Sequence, residues 1–321
     1  MKRFVFLIAL IVLVAAGWGG VWLFVSNKIS EQVQLLAADD PSKPSIKCTN
    51  FSVSGFPFQF AVDCQGATLV DGDTTLTLEQ LRAVVLVYRP THALLFFKGP
   101  LHHSNAFFGT EQEVRWSKLE ASVRLSGWQL TRASIHGEDV EYFDVLIGET
   151  LQSHAQSFEA HLIDIPESHD SENARSALAL FARTSALSVP ALTINDGEAS
   201  LEAELTQLPS DIRNWAQPDL IKNWQIAGGD LKLQRFEGST PSAQFDMAGS
   251  LALDKNGALN GKMTLNSNGI AQMFAELITP SMQPLIFGTP GPDGQYTQTI
   301  SFLGGAVFSG TQPMAYVPPL F

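Results

Sequence analysis

The sequence predicts a mainly β protein, namely a long curved antiparallel sheet with a few packing helices, preceded by one N-terminal transmembrane helix. Apolar and polar residues alternate in run after run from about residue 45 onward, which is typical of half-buried strands. Tight turn sequences containing glycine separate these runs, so neighbouring strands should pair antiparallel. An uncharged apolar segment precedes them. A sheet of this size is expected to twist and curl.

Composition limits the function classes. Of the 321 residues, 45% are hydrophobic and only 16% are charged, whereas soluble domains carry about 25% charged residues. The formal net charge of −12 repels phosphate backbones, so we expect no nucleic-acid partner. The same charge disfavours adhesion to anionic lipid headgroups by electrostatics alone.

The N-terminal segment FVFLIALIVLVAAGWGGVWLFV, residues 4–25, predicts a membrane anchor. At a rise of 1.5 Å per residue it spans a hydrocarbon layer of about 30 Å. Basic residues in the stub 1–3 place the N-terminus in the cytoplasm, and Trp18 and Trp22 suit the opposite interface. The alternative is a cleaved signal peptide, whose apolar region is shorter, about 7–15 residues. We therefore expect an uncleaved, single-pass anchor with the rest of the chain exported.

Residues 26–44 are predicted to be a stalk or linker. ISEQVQLLAADD favours a continuation of the helix, which Pro41 and Pro44 should end. No linker rich in Ser, Gly or Pro interrupts the remaining sequence, so 45–321 is predicted to be one exported β-rich domain.

The first two strands contain the two cysteines of the chain, in CTNFSVSGFPFQFAVDC. In an oxidising compartment Cys48 and Cys64 predict a disulfide, with two buried free thiols as the alternative. The Gly55-Phe56-Pro57 sequence between them indicates a hairpin turn.

This hairpin contains a conflict of register. If Cys48 directly faces Cys64, the apolar residues of the two strands point to opposite faces. These residues are Phe51 and Val53 on the first strand, and Phe58, Phe60 and Val62 on the second. Three solutions stay open: a bulge near Gly55, cysteines that meet off the regular ladder, or two partly covered faces.

Further alternating runs predict the remaining strands. In chain order they are ATLVDG, TTLTLEQL, AVVLVYRP, ALLFFKGPL, EVRWSKLEASVRLSGWQLTRASIHG with a break near Gly127, QSFEAHLIDIP, ARSALALFARTSALSV, LTINDGEASLEAELTQL, GGDLKLQRFEG, SAQFDMAGSLALDKNGALNGKMTLNS and QYTQTISFLGGAVFSG. For ARSALALFARTSALSV a helix is the alternative, because Ala and Leu favour it, whereas the alternation and the following Pro190 favour a strand. Asn195-Asp196-Gly197 and Asp254–Gly257 are predicted to be hairpin turns. Two helices are expected, SDIRNWAQPDLIKNW, capped by Ser210 and broken at Pro218, and NGIAQMFAELI, ended by Pro280.

The sequence contains no recognisable catalytic motif. The adjacent His102 and His103 would point to opposite faces of a strand, and we interpret them as a solvated turn. The segment HLIDIPESHD has metal-ligating residue types at irregular spacing and predicts an exposed polar loop. We therefore predict no enzymatic activity, no cofactor and no metal site.

Phenylalanine is abundant, with 21 Phe against 4 Tyr. The ordinary interpretation of the N-terminal Phe cluster is a packed core. The alternative is an apolar groove for acyl chains, since Phe offers an apolar surface with no polar group. The groove candidates are Phe51, Phe58, Phe60, Phe96, Phe97, Phe107 and Phe108.

Several motifs together resemble a known family. They are SGFPFQF between the cysteines, VYRPTHALLFFKGP, W-x-x-x-GGDLKL at 224–233 and GSLALDKNGALNGKMTL at 249–265. They resemble the uncharacterised bacterial envelope family catalogued as domain of unknown function 2125 (DUF2125) and, more widely, AsmA-like envelope proteins. The resemblance implies an inner-membrane anchor, a periplasmic C-terminal domain, and a long curved sheet with an apolar groove. It further implies a role either in moving phospholipid toward the outer membrane or in outer-membrane assembly.

The sequence supports two main hypotheses for function. The first is a non-enzymatic, inner-membrane-anchored periplasmic protein whose apolar β-groove binds lipid in envelope maintenance. The second is a structural scaffold that docks an envelope protein and has no lipid groove. A hydrolase that uses dispersed residues is a weaker third.

Overall fold

A computed structural model describes residues 2–37, 44–273, 278–292 and 294–321. It confirms a mainly β chain behind one long apolar helix, α1 (Lys2–Leu36). The strands in the described residues are β1 (Ser45–Ser54), β2 (Gln59–Asp71), β3 (Thr74–Leu86), β4 (Arg89–Asn105), β5 (Thr110–Arg115), β6 (Lys118–Ser126), β7 (Gln129–Asp144), β8 (Thr150–Asp164), β9 (Arg175–Val189), β10 (Ile194–Pro209), β11 (Asp230–Ser239), β12 (Gln244–Leu253), β13 (Leu259–Asn268), β14 (Tyr296–Leu303), β15 (Ala306–Ser309) and β16 (Gln312–Tyr316).

These strands form one antiparallel sheet in which hydrogen-bonded neighbours follow chain order. One position is shared: β5 and β6 both pair with β4 on one side and with β7 on the other. The two segments are therefore one strand interrupted at Trp116–Ser117. The Trp116 indole N–H donates to the carbonyl of Phe97 at 3.0 Å, and its ring lies against Gly99, where a Cβ would approach it to 3.1 Å.

The chain divides into two compact units. Unit 1 comprises 1–122 and 142–150, and unit 2 comprises 123–141 and 151–321. Unit 1 contains α1 and the strands from β1 to β5, whereas unit 2 contains the strands from β9 to β16.

The register of β1 and β2 resolves the conflict in the hairpin. Cys64 pairs with Phe51, and Val62 pairs with Val53, so the apolar residues of both strands share one face. Cys48 instead pairs with Ala67.

The disulfide between Cys48 and Cys64 is present, with the Cα atoms 5.3 Å apart. Because the two residues are not ladder partners, the bond crosses the hairpin beside Gly66, whose φ of 58° interrupts the pairing opposite Thr49. A Cβ at Gly66 would clash with the Thr49 side chain, so this irregularity needs glycine. Of the three solutions left open, the cysteines meet off the regular ladder.

Unit 2 has two buried apolar clusters. Leu130, Leu178 and Leu208 form one, against which Trp215 and Trp224 pack. The other consists of Ala203, Leu233 and Met263, surrounded by partly buried residues of neighbouring strands. Both indoles also donate hydrogen bonds to backbone carbonyls, Trp215 to Pro209 at 2.8 Å and Trp224 to Thr206 at 2.7 Å.

Of two turns predicted in unit 2, one lies at a different position and the other is confirmed. The hairpin turn expected at Asn195-Asp196-Gly197 lies earlier, in a 3-10 helix at Pro190–Leu192 followed by Thr193 in the left-handed region, and 195–197 belong to β10. Proline at the first helical position starts this turn before the Asn-Asp-Gly sequence is reached. The predicted Asp254–Gly257 turn is confirmed, with the Asp254 carboxylate accepting from two backbone N–H groups.

The first predicted helix is divided into two short pieces, and only the start of the second lies in the described residues. SDIRNWAQPDLIKNW forms a 3-10 helix at Ile212–Ala216 and then α2 (Leu220–Ile226), with the break at Pro218 as expected. Asp211, not Ser210, caps the first piece by accepting from the backbone N–H of Arg213. NGIAQMFAELI begins α3 (Ile270–Met273), and its continuation over 274–277 lies outside the described residues. A short α4 (Gln283–Phe287) follows Pro280.

The predicted stalk is partly described. Helix α1 continues through the first part of it to Leu36, before both prolines that were expected to end it. Residues 38–43, including Pro41, lie outside the described residues.

An ion pair in unit 1 predicts an acid-dependent loss of stability. Arg115 makes a two-fold hydrogen bond to Glu149, at 2.8 and 3.1 Å, which lowers the pKa of that carboxyl from its ordinary 4.5. A depressed carboxyl pKa contributes stability above the unfolded-state pKa and loses it as pH falls through the folded-state pKa. Wild type should therefore melt above Glu149→Gln at pH 7, and thermal melts should converge below pH 4.5. In the Arg115→Met variant, the effect of Glu149→Gln on the melting temperature should not depend on pH.

Candidate functional site

One face of unit 1 is a continuous apolar surface. Because paired residues of an antiparallel sheet share a face, the registers of β1 to β4 place three cross-strand rows side by side. We call these rows the apolar strip; it consists of Phe51, Cys64, Leu81 and Phe97 in the first row, Val53, Val62, Ala83 and Leu95 in the second, and Phe60, Val85 and Ala93 in the third.

The apolar strip is neither a filled core nor an ordinary surface. Cys64, its disulfide cysteine, is buried at 6% exposure, whereas every other member is only partly buried. The apolar clusters of unit 2 contain buried leucines, so the two units differ in how completely they cover their apolar residues. The strip is therefore apolar area that remains accessible.

The opposite face of the same strands is mixed. Its polar ladder partners include Ser52 with Asp63 and Asp63 with Arg82. Gln80 donates to the Asp63 carboxylate at 2.6 Å across this face. A neighbouring row there is apolar and consists of Ala61, which is 1% exposed, Val84 and Leu94. The polar pairs distinguish this face from the apolar strip, but the face is not polar throughout.

The seven groove candidates lie in four different places in the structure. Phe51, Phe60 and Phe97 lie in the apolar strip. Phe96 lies on the opposite face and is 37% exposed, and Phe58 lies at the tip of the β1–β2 hairpin.

The remaining two candidates lie at the other end of the sheet. Phe107 and Phe108 form the β4–β5 turn, are 76% and 74% exposed, and contact each other edge to face at 5.0 Å. Sequence reasoning missed the aliphatic members of the strip, such as Val62, Leu81 and Leu95. Their alternation was visible, but assigning them to one face requires the register.

Helix α1 contacts the sheet where the apolar strip ends. Trp22 is 7% exposed; its ring stacks on Phe60 at 5.5 Å and meets Phe56 edge to face at 5.7 Å. The Trp22 indole N–H donates to the carbonyl of Gln59 at 3.1 Å, and that of Trp18 donates to the carbonyl of Pro57 at 3.0 Å. These contacts attach α1 to the GFPF sequence between the cysteines.

Burial along α1 follows the helical period. Trp22 and Ser26 are buried, and Trp18 and Ile29 are partly buried, so one side of the helix lies against β1. The apolar residues on the other sides of the helix are exposed; Phe24, for example, is 64% exposed. In the part of the chain that the structure describes, α1 is the one helix long and apolar enough to cross a membrane, a test that a signal sequence also passes.

The polar candidates are arranged differently from the predictions. His102 and His103 belong to β4 instead of a turn, and they pair separately, His102 with Glu113 at 2.9 Å and His103 with Gln112 at 2.9 Å. In HLIDIPESHD, which was expected to be an exposed loop, His169 is partly buried and lies 2.7 Å from the Asp164 carboxylate. Across 2–37, 44–273, 278–292 and 294–321, no cluster of three or more His, Cys, Asp or Glu residues could hold a metal ion.

Unit 2 has an open cavity of about 670 Å³ between the ends of β9 to β13. Its charged lining residues are Arg183, Glu198, Glu202, Glu237 and Asp246. The four carboxylates outnumber the single guanidinium, so the lining of this cavity is polar and negatively charged. Binding of an acyl chain or an anionic headgroup there is therefore unfavourable. The accessible apolar surface of interest is therefore the strip in unit 1.

Comparison with known proteins gives one finding. A family model described as an uncharacterized protein conserved in bacteria (DUF2125) matches residues 22–318. No curated protein and no solved structure matches the chain. The matched region begins at Trp22, the α1 residue that packs against the hairpin.

Proposed function

This chain belongs to the DUF2125 family, and from that membership and the apolar strip we propose that it is a non-enzymatic lipid-binding protein of the bacterial envelope. Helix α1 is its inner-membrane anchor, the sheet lies on the periplasmic side, and the apolar strip holds the acyl chains of phospholipid.

The observation that carries this proposal is the accessible apolar strip. Its rows on β3 and β4, which include Leu81, Val85, Leu95 and Phe97, lie two and three strands away from the edge strand β1 that α1 contacts. Each methylene group of an acyl chain buried against such a surface contributes about 0.8 kcal/mol. A chain laid across three rows of side chains would therefore bind through area alone, without a polar anchor.

The chemistry of the strip suits unselective lipid binding. Its members are Phe, Val, Leu, Ala and one disulfide cysteine, none of which offers a strong hydrogen-bond donor. Such a surface distinguishes hydrocarbon from water but does not distinguish one headgroup from another. The intact Trp22 packing also supports a retained helix, because cleavage after α1 would expose Phe60 and Phe56.

Lipid binding is tested with the full chain extracted in mild detergent. Native mass spectrometry followed by lipid extraction should find phospholipid bound to wild type. Leu95→Asp, which places a charge in the strip, should lose at least about tenfold of this lipid, because a carboxylate is costly against hydrocarbon. Phe96→Asp is the matched control, since it changes the neighbouring residue on the opposite face and should retain lipid.

Lipid-free wild type would contradict the proposal, as would equal lipid content in the two variants. Circular dichroism and thermal melting of both variants establish that a loss of lipid is not a loss of fold.

A scaffold function is the second candidate, and the pair Phe107 and Phe108 favours it. Two adjacent aromatic side chains that are about three-quarters exposed are typical of a protein docking site. Two results together would support the scaffold over the lipid carrier. They are a reproducible crosslink from this turn to one envelope protein and the absence of bound phospholipid in native mass spectrometry.

A further inference from the structure

The tip of the β1–β2 hairpin is apolar and exposed. Between Gly55 and Gln59 the chain reads Phe-Pro-Phe, with Phe56 55% exposed and Phe58 70% exposed. The neighbouring β3–β4 turn contributes Tyr88, which is 68% exposed. Soluble proteins usually keep such aromatic side chains out of tight turns, so this end of unit 1 needs an apolar or interfacial partner.

The contacts with α1 fix the depth of this tip along the helix. Pro57 lies at the level of Trp18, because its carbonyl accepts the Trp18 indole N–H. At 1.5 Å per residue, Trp18 lies about 21 Å from Phe4, the first apolar residue, so about 9 Å of a 30 Å hydrocarbon layer remain beyond it. Measured from Val25, the last residue of the apolar segment, Trp18 lies about 10 Å inside. Trp18 therefore lies deeper than the membrane interface at which the sequence predicts it.

Most backbone carbonyls of the tip have the partners that a hydrocarbon environment requires, whereas the Phe56 carbonyl accepts no hydrogen bond from another backbone or side-chain group in the described residues. Carbonyls cannot be left without donors where there is no water. Four carbonyl contacts are satisfied within the protein: Gly55 accepts from Gln59 at 3.1 Å, Pro57 from Trp18 at 3.0 Å, Phe58 from Val87 at 3.0 Å and Gln59 from Trp22 at 3.1 Å. Pro57 has no N–H to satisfy.

The two ends of this sheet differ in their charged residues. Ladder pairs place Gln59, Leu86 and Arg89 at the tip end, and basic residues are common at membrane interfaces. At the opposite end, Asp71 and Asp73 flank the β2–β3 turn. Phe107 and Phe108 are exposed at that end as well, but the two carboxylates beside them suit water and not the apolar layer.

From this geometry we propose that the hairpin tip, residues 55–58, enters the outer leaflet of the membrane beside α1 and forms a second membrane contact, with Tyr88 at the headgroup level. The proposal rests on the membrane anchorage of α1 in the proposed function, and it goes beyond it by fixing which end of the sheet is immersed. The immersed end is also the Phe60 end of the apolar strip, so the strip opens at the bilayer surface.

Depth-dependent fluorescence quenching tests this inference with the full chain in vesicles of phosphatidylethanolamine and phosphatidylglycerol. Single cysteines replace Phe58, Asp73 or Leu13, each labelled with an environment-sensitive fluorophore while the native disulfide stays oxidised. The label at 58 should be shifted to shorter wavelength and quenched at least twofold by lipids brominated on their acyl chains. The label at 73, at the opposite end of the sheet, should be unaffected and accessible to iodide.

The label at 13 separates the failure of this inference from the failure of the anchor. Quenching at 13 without quenching at 58 would leave α1 in the membrane and overturn the immersed tip. No quenching at either position would overturn both the anchor and the tip.

A second measurement avoids substitution in the hairpin. A phospholipid with a photoactivatable group at mid-chain, activated in vesicles containing unmodified wild type, should crosslink to the peptide that contains 55–58. Crosslinks confined to α1 and to strip peptides, with none at the tip, would contradict the inference even if a labelled variant failed to fold.

Discussion

Replacing Trp22 with alanine should destabilise unit 1 by about 3–5 kcal/mol, the usual cost of truncating a buried tryptophan. The substitution removes the stacked contact with Phe60, the edge contact with Phe56 and the hydrogen bond to Gln59. It also leaves the Gln59 carbonyl without its donor at a level where water is scarce. Urea unfolding of the full chain in detergent micelles, followed by tyrosine and tryptophan fluorescence, measures the change.

The matched control is Trp18→Phe. It keeps most of the apolar surface and loses only the donor to the carbonyl of Pro57, so we expect a loss of about 1 kcal/mol. Limited proteolysis should show the same order, with cleavage near Gly55 much faster in Trp22→Ala than in Trp18→Phe. Equal stability losses in the two variants would show that the indole packing does not hold the hairpin to α1.

Removing the disulfide should cost about 3 kcal/mol, since it closes a loop between cysteines 16 positions apart. Cys48→Ser, Cys64→Ser and the double variant should all lower the melting temperature by a similar amount, and the double variant should lose no more than the larger single loss, because either substitution breaks the same bond. Differential scanning calorimetry of the full chain in detergent measures all three.

Wild type treated with a reductant lacks the disulfide and has no introduced serine hydroxyl, so it serves as the control. Its melting temperature should be similar to those of the variants. Additive losses in the double variant would indicate that the two sulfurs contribute independently and would contradict the bond. Cys64 is 6% exposed and lies in the apolar strip, so its substitution also reports on packing there. A modest excess for Cys64→Ser over Cys48→Ser is therefore expected, but not one as large as the shared loss.

Local patterns predicted most of the fold. The alternation of ARSALALFARTSALSV identified β9 in spite of its helix-favouring Ala and Leu, and the Asp254–Gly257 sequence identified its turn. These elements depend on neighbours within a few residues, so their sequences contain the necessary information. Two turn signals lie close together in this part of the chain, Pro190 and Asn195-Asp196-Gly197. The chain turns at the first of them, Pro190.

The candidate site was harder to predict because it depends on contacts distant in the chain. The register of β1 and β2 pairs Phe51 with Cys64 and Cys48 with Ala67, and the need for glycine at 66 becomes visible only when Thr49 lies opposite it. The packing of Trp22 on Phe60 joins two segments that a sequence reading treats as a membrane span and a soluble hairpin. The sequence-based groove hypothesis used Phe alone and so divided its residues among the strip, the opposite face and two turns.

Helix α1 extends without interruption from Lys2 to Leu36, and two indole hydrogen bonds fasten it to the hairpin. Unit 1 is therefore not a freely swinging domain on a flexible tether. Any tilt of the helix tilts these strands with it. Under the proposed lipid-binding function, the strip would therefore stay at the bilayer, and a lipid that leaves it would have to be collected there by a second protein.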